Sequence, residues 1–192
     1  MSSISTSRFR AAESLLDRTL AAATQDPQTV TAEGRPVRRL VEGVAIRDIP
    51  THADERGTLF EVYDARWNWH PAPLVSAHCF TIRPGFVKGW VLHETHDDRS
   101  IVMAGEVLLA LFDPRPDSST CGTVCEIFLS GERRQLVITP KNVWHAVQNI
   151  GGADAMVLDF PSLPYDHERP DKHRLPIDTP LIPYSFGNAR GW

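Results

Sequence analysis

Two histidines and an aspartate are the residues of this sequence best placed to do chemistry. Gly85, Val91, His93, Asp98 and Gly105 follow one another with five, one, four and six residues between them, and Pro140, Asn142, His145 and Asn149 follow with one, two and three. Side chains alternate faces along a strand, so positions 91 and 93 point the same way, while His145 comes from a different strand and Asp98 from the start of the next. Two imidazoles and one carboxylate converging in a cavity are the minimum set for a divalent cation. The same groups serve acid–base chemistry without one. Position 91 is a valine, which has no proton to exchange. His78, His96 and Asp159 are further titratable neighbours. His78 and His96 read as exposed or structural, because the offset of His96 from His93 is odd and its replacement should be mild.

The elements that must position these residues are short and rich in β-formers: GTLFEVY, PLVSAHCFTIR, FVKGWVLH, SIVMAGEVLLALFD, TVCEIFL, RRQLVIT, NVWHAVQN and AMVLDFP. Breakers such as DERG, RPG, DPRPDSS, SGER, TPKN and GGAD separate them at the rhythm of a sandwich or barrel. Ahead of them, residues 8–24 place Ala12, Leu15, Leu16, Thr19, Leu20 and Ala23 on one helical stripe, and residues 25–38 read as a linker. That helix is expected to pack against the main domain or a second subunit. After Pro161 the chain is too proline-rich for a central strand or a helix and is expected to wrap the barrel. The division is therefore 1–38 helix and linker, 39–161 barrel, 162–192 tail.

With 192 residues, 42% of them hydrophobic, the chain can bury one substantial core. A net charge of −4 without a Lys/Arg block excludes a nucleic-acid surface, which needs a concentrated basic stripe. No apolar run approaches the length of a membrane span, and an odd count of three cysteines suits a reducing compartment. A cytoplasmic protein with a small-molecule partner, binding neither nucleic acid nor membrane, is the expectation. Cys121 and Cys125 have no second pair with which to build a zinc site.

The two spaced runs resemble the paired motifs of the cupin superfamily, in which positions 91 and 93 are ordinarily both His and position 98 is Glu. DERGTLFE (54–61), RPGFVKGWVLH (83–93), FDPRPDSST (112–120), ITPKNVWHAVQN (138–149) and PYDHERPDKHRLPIDTPLIPY (164–184) sharpen this. They resemble the RmlC-like dTDP-4-dehydrorhamnose 3,5-epimerases, in particular divergent relatives with a KGWHxH stretch. The resemblance covers about residues 40–186. It implies an all-β cupin barrel (a double-stranded β-helix, or jelly roll) with the N-terminal helix outside it, a homodimer, and a dTDP-sugar or similar ligand in the barrel. It also implies that Lys88 approaches the diphosphate, that Val91 stands where the catalytic base is found, and that Asp159 stands near the position of the proton-donating tyrosine. Arg56 and Glu61 would contribute to nucleotide binding, partly from a neighbouring subunit, and Arg83 is a further candidate donor to a buried diphosphate.

Three functions remain open on these residues. One is a cofactor-free sugar-nucleotide epimerase in which His93 or His145 has become the base, with Asp159 opposite. Another is a metal-dependent cupin enzyme in which His93, Asp98 and His145 hold Fe, Zn or Mn. The third is a cupin that binds a ligand without turning it over.

Overall fold

The structure, a computed structural model, describes residues 14–34 and 36–191. The chain divides into two units, one up to residue 38 and one from residue 39 onward. In the first unit helix α1 spans Leu15–Ala22. Ser14 starts it with a capping box: its hydroxyl accepts from the Asp17 amide at 3.1 Å, and the Asp17 carboxylate accepts from the Ser14 amide at 3.2 Å. The helix is shorter than the 8–24 read from periodicity, and residues 8–13 lie outside the described residues. Leu15, Leu16 and Leu20 are exposed.

Among the described residues the second unit holds thirteen strands: β1 (Ala45–Asp48), β2 (His52–Asp54), β3 (Gly57–Leu59), β4 (His78–Ile82), β5 (Phe86–Leu92), β6 (Asp98–Ala104), β7 (Glu106–Phe112), β8 (Val124–Ser130), β9 (Gln135–Thr139), β10 (Trp144–Asn149), β11 (Ala155–Asp159), β12 (His173–Arg174) and β13 (Arg190–Gly191). One sheet has the order β1-β9-β6-β11-β4. The facing sheet has the order β12-β5-β10-β7-β8, with β13 also on β5, and β2–β3 is a separate hairpin. Every pairing of these strands is antiparallel except β13 with β5. This is the all-β jelly roll expected from the sequence.

Between the sheets lies a core built from alternate residues, including Cys125, Ile127 and Leu129 of β8, Val107, Leu109 and Leu111 of β7, and Val157 of β11. Strand β8 alternates cleanly, with Glu126 and Phe128 outward. Strands β7 and β9 are apolar at Val107–Phe112 and Leu136–Ile138, because their outer faces are also covered. Ile182 and Phe186 of the tail pack with Trp90 and Ala110 over the outside of one sheet, and Phe60, Trp67 and Trp69 pack with Leu136 and Ile101 over the other.

The pairing of β5 is irregular. His145 of β10 opposes Val91, but Val147 opposes Lys88, so three steps of β5 match two of β10. This is a β-bulge at Gly89 and Trp90, which turns both of them outward and returns Lys88 to the inner face. Position 89 must be glycine there: a Cβ would stand 2.7 Å from the Ala146 Cβ and 2.9 Å from a Val87 methyl.

Candidate active site

The site forms at one end of the barrel, where β5 ends and β6 begins. Asp98 is the first residue of β6 and pairs with Thr139 of β9. His145 is the second residue of β10, between Val91 of β5 and Leu111 of β7. His93 follows the last residue of β5, and its carbonyl accepts from the Asn142 amide at 2.7 Å, which ties the β9–β10 turn to the site. His96 lies in the loop between β5 and β6.

Three imidazoles converge on Asp98. Asp98 Oδ2 lies 3.4 Å from His93 Nε2 and 3.3 Å from His145 Nε2, and Oδ1 lies 3.5 Å from His96 Nε2. The His93 and His96 ring centroids are 4.1 Å apart, and those of His93 and His145 are 5.4 Å apart. The far nitrogen of each ring is held. His93 Nδ1 donates to the Asp171 carbonyl, His96 Nδ1 lies 2.9 Å from Asp171 Oδ2, and His145 Nδ1 lies 3.2 Å from the Val143 carbonyl. The expected trio of His93, Asp98 and His145 is thus brought together.

His96 joins them, which corrects its reading as an exposed or structural residue. The alternation argument holds only within a strand, and β5 has ended at Leu92, so a loop residue is free to turn back into the cavity. Sequence reasoning misses Asp171 altogether. It comes from the proline-rich tail 75 residues away, and its oxygens also accept from the Glu94 and Thr95 amides at 2.8 and 2.9 Å. The signal that could have exposed the site is local: ETHDD packs several titratable groups into a loop that crosses from one sheet to the other, and binding residues concentrate on loops. Neighbouring Asp97 turns the other way, toward His70 Nε2 at 2.9 Å and the Lys141 amide at 2.8 Å.

Asp159 faces the same cavity from β11, opposite His78 and Ser100, with its Oδ2 3.6 Å from His78 Nε2. The carboxyls of half-buried Asp98 and buried Asp159 are pushed in opposite directions. For Asp98 burial opposes ionisation, but the interactions with His145, His93 and His96 outweigh it and hold its carboxyl well below the ordinary range. For Asp159 burial and then the charge of Asp98 both oppose ionisation, and its carboxyl is pushed well above that range. Burial lowers His78. It also works against protonation of His96, but Asp98 and Asp171 raise that imidazole on balance. Lys172, beside Asp171, is lowered by burial and by Arg174.

The remaining candidates fall in three places. Lys88 faces inward, with its ammonium 5.4 Å from the centre of the Phe80 ring. Arg83 sits in the β4–β5 turn, where its carbonyl accepts from the Phe86 amide. That turn is the opposite end of β5 from His93, which removes Arg83 from this site. Arg56 is paired with Asp54 at the tip of the exposed β2–β3 hairpin, and Glu61 follows the hairpin and is exposed. Neither reaches the cluster within the chain.

Residues 52–173 match the family model of the polysaccharide biosynthesis C-terminal domain. The probable low-salt glycan biosynthesis epimerase Agl13 of Haloferax volcanii is 34% identical over 141 residues, which are 72% of this chain and 89% of that protein. The chain belongs to the polysaccharide biosynthesis C-terminal domain family. Its barrel is that of the RmlC-like cupins. A dTDP sugar isomerase from Desulfovibrio desulfuricans superposes with a TM-score of 0.72 at 22% identity, over 80% of this chain and 98% of that one. The epimerase RmlC from Legionella pneumophila, solved with dTDP-4-keto-L-rhamnose, gives a TM-score of 0.71 at 20% identity, over 81% and 86%. Among the described residues no helix is long and apolar enough to cross a membrane.

Proposed function

We propose that this chain is an epimerase or isomerase of a 4-keto-6-deoxy sugar nucleotide, or of a closely similar small metabolite, bound in the mouth of the barrel. One observation carries the reading: a single cavity sets Asp98 among three imidazoles and Asp159 on a neighbouring strand away from them, an arrangement that pushes the first carboxyl well below and the second well above the ordinary range. Carboxyl groups pushed apart in this way divide acid work from base work. The epimerase named among the relatives and the dTDP-sugar enzymes among the fold neighbours support the substrate class.

A hydrogen on the carbon beside a ketone is acidic, because the charge left by its removal spreads onto the carbonyl oxygen. Val91 cannot remove it. His93 and His145 take the place of the missing base, with their Nε2 atoms turned into the cavity and their Nδ1 atoms anchored on carbonyls. Inversion needs a proton returned from the other face. Asp159 projects from the sheet opposite the one that carries His145, and its carboxyl, pushed well above the ordinary range by burial and by Asp98, is suited to give that proton. Lys88, on the sheet that carries His145, and Lys172, within electrostatic reach of it, supply positive charge for a developing oxyanion or a diphosphate.

A second reading is favoured by the convergence of imidazole nitrogens on the Asp98 carboxylate. His93, Asp98 and His145 would hold a divalent Fe, Zn or Mn ion, which would polarise the ketone as a Lewis acid. We further propose a cytoplasmic homodimer in which the exposed β2–β3 hairpin carries Arg56, and with it Glu61, toward a neighbour's nucleotide. Light scattering at micromolar concentration checks this, and a monodisperse monomer would contradict it.

The test of the main reading is a 4-keto-6-deoxy sugar nucleotide incubated with the protein in D2O and followed by mass spectrometry. Deuterium should enter beside the ketone and should be lost in His93→Ala and in His145→Ala. Undiminished uptake in both variants would place the reaction elsewhere.

A further inference from the structure

We infer that His78 is the proton relay of Asp159, taking a proton from solvent after each turnover and passing one from its Nε2 to Asp159 Oδ2. The inference rests on the epimerase reading and deepens it, because it accounts for how the two faces of the cavity are reset.

Proton balance makes a relay necessary. Inversion breaks a C–H bond on one face, where His93 or His145 takes the proton, and makes a C–H bond on the other, where Asp159 gives one. Each turnover therefore leaves an imidazole with one proton too many and Asp159 with one too few. No further inversion can follow until the Asp159 carboxylate is protonated again. Its side chain is only 6% exposed, so bulk water does not serve it directly.

The strands put one ring in the right place. His78 is the first residue of β4 and pairs with Asp159 of β11. Residues directly opposite in an antiparallel pair project from the same face, so both enter the cavity. His78 Nε2 lies 3.6 Å from Asp159 Oδ2, and the His78 side chain is 57% exposed. One ring thus reaches the buried carboxyl and the solvent together. A movement of about 1 Å closes the gap to the 2.7–2.9 Å of a charge-assisted hydrogen bond, and β4 has room for it as the edge strand of its sheet.

The other charged groups near Asp159 are less suited. Arg99 donates to the carbonyls of Ala72, Pro73, Phe160 and Pro161, and a guanidinium does not give up its proton. Asp98, with its carboxyl held well below the ordinary range, has none to pass. Lys172 acts on Asp159 through its charge. His78 itself faces Asp159 from β11, Asp98 from β6, His93 and His96 from the end of β5 and the loop after it, and Lys172 from the tail. Burial outweighs the attraction of Asp98 and lowers the ring, while burial and Asp98 raise the Asp159 carboxyl. Both changes ease transfer from His78 to Asp159. The imidazole takes a solvent proton on Nδ1, the imidazolium gives its Nε2 proton to the carboxylate, and the ring is left neutral.

The experiment follows inversion of a 4-keto-6-deoxy sugar nucleotide by rapid quench, first with one substrate per chain and then with an excess. In His78→Gln and His78→Ala the first turnover uses the proton already on Asp159 and should run at about the wild-type rate. Later turnovers should slow by about 100-fold, so that product appears as a burst of about one per chain. Imidazole in the buffer should restore the later turnovers of His78→Ala in proportion to its concentration. Deuterium exchange without inversion, which needs only the histidine base, should persist in both variants. Lys172→Met should slow the first and later turnovers alike. The relay is overturned if later turnovers in both His78 variants keep the wild-type rate, if the first turnover slows as much as the later ones, if imidazole restores nothing, or if Lys172→Met gives the burst instead. Absence of deuterium exchange in the wild type would sink the epimerase reading and the relay with it. Exchange and inversion in the wild type, with no burst in either His78 variant, would sink the relay alone.

Discussion

Gly89→Ala tests whether the bulge in β5 sets the geometry of the site. Gly89 and Trp90 both turn to the outer face against Ala146, and Trp90 is fully buried under the tail. A methyl at position 89 would meet the Ala146 Cβ at 2.7 Å, a Val87 methyl at 2.9 Å and an Ile177 methyl at 3.3 Å. Carbon atoms rest about 3.5–4.0 Å apart, so β5 and β10 would have to separate by about 1 Å. Ala146 cannot rotate away, and Val87 is only 3% exposed. Overpacking of this kind costs about 1–3 kcal/mol, and the lower entropy of the unfolded alanine chain offsets about 0.4–1 of it, so about 1–2 kcal/mol of stability is lost. For a chain of this length that is a fall in Tm of about 2–8 °C.

Urea denaturation is the assay, read as a lower midpoint at unchanged slope. Ala146→Gly removes the methyl that the new one strikes. The double variant Gly89→Ala/Ala146→Gly should therefore be more stable than the sum of the two single effects, by about 0.5 kcal/mol or more. A Gly89→Ala midpoint equal to that of the wild type, with strict additivity in the double variant, would refute the close approach and with it the inward placement of Lys88.

Three further outcomes are expected. Asp159 has a folded carboxyl raised above its unfolded value, so the folded chain keeps a proton that the unfolded chain gives up; wild-type stability should therefore fall as pH rises from the ordinary carboxylate range toward the folded value. Asp159→Asn should flatten that segment of the urea midpoint against pH, raise stability at neutral pH and abolish inversion beside the ketone while deuterium exchange through the histidine base persists. Asp113, with no exposed surface, is held ionised against its burial by Arg115, Ser118 and Thr120. Asp113→Ala leaves that cluster unpaired and should cost about 3 kcal/mol by urea denaturation, allowing for the partial exposure of Arg115. Trp90→Ala should cost about 3–5 kcal/mol and increase proteolytic cleavage after residue 175, since the tail residues Ile182 and Phe186 pack on that ring.

The fold is legible in the sequence because its signals are local. Strand β8 shows its inner face in its alternation, and turns such as RPG and SGER interrupt the pattern where the chain reverses. The site is legible only as far as strand arguments reach. His145 and Asp98 lie on strands and fall where spacing puts them, whereas His96 lies on a loop where parity carries no information. Lys88 shows the opposite failure. It is three residues from Val91, so simple alternation would turn it outward, and only the bulge at Gly89 and Trp90 brings it in. Arg83 fails because the residues suggest a charge without revealing the end of the barrel on which the β4–β5 turn places it.

Asp171 lies beyond reach for a further reason: it is joined to the site by a contact across most of the barrel sequence. The tail that carries it makes few regular pairings, yet β12 places Arg174 opposite Val91 and His173 opposite Leu92, one residue short of His93. The Leu175 amide donates to the Trp90 carbonyl at 3.1 Å, and the tail then packs over Trp90. The outer cluster of that sheet thus anchors the segment whose aspartate orients two imidazoles on the inside. A proline-rich segment suits this role, because its restricted backbone loses less entropy when the tail is laid down. Loosening the tail should then release His93 and His96 together, so that core packing and the chemistry of the cavity are coupled through Asp171.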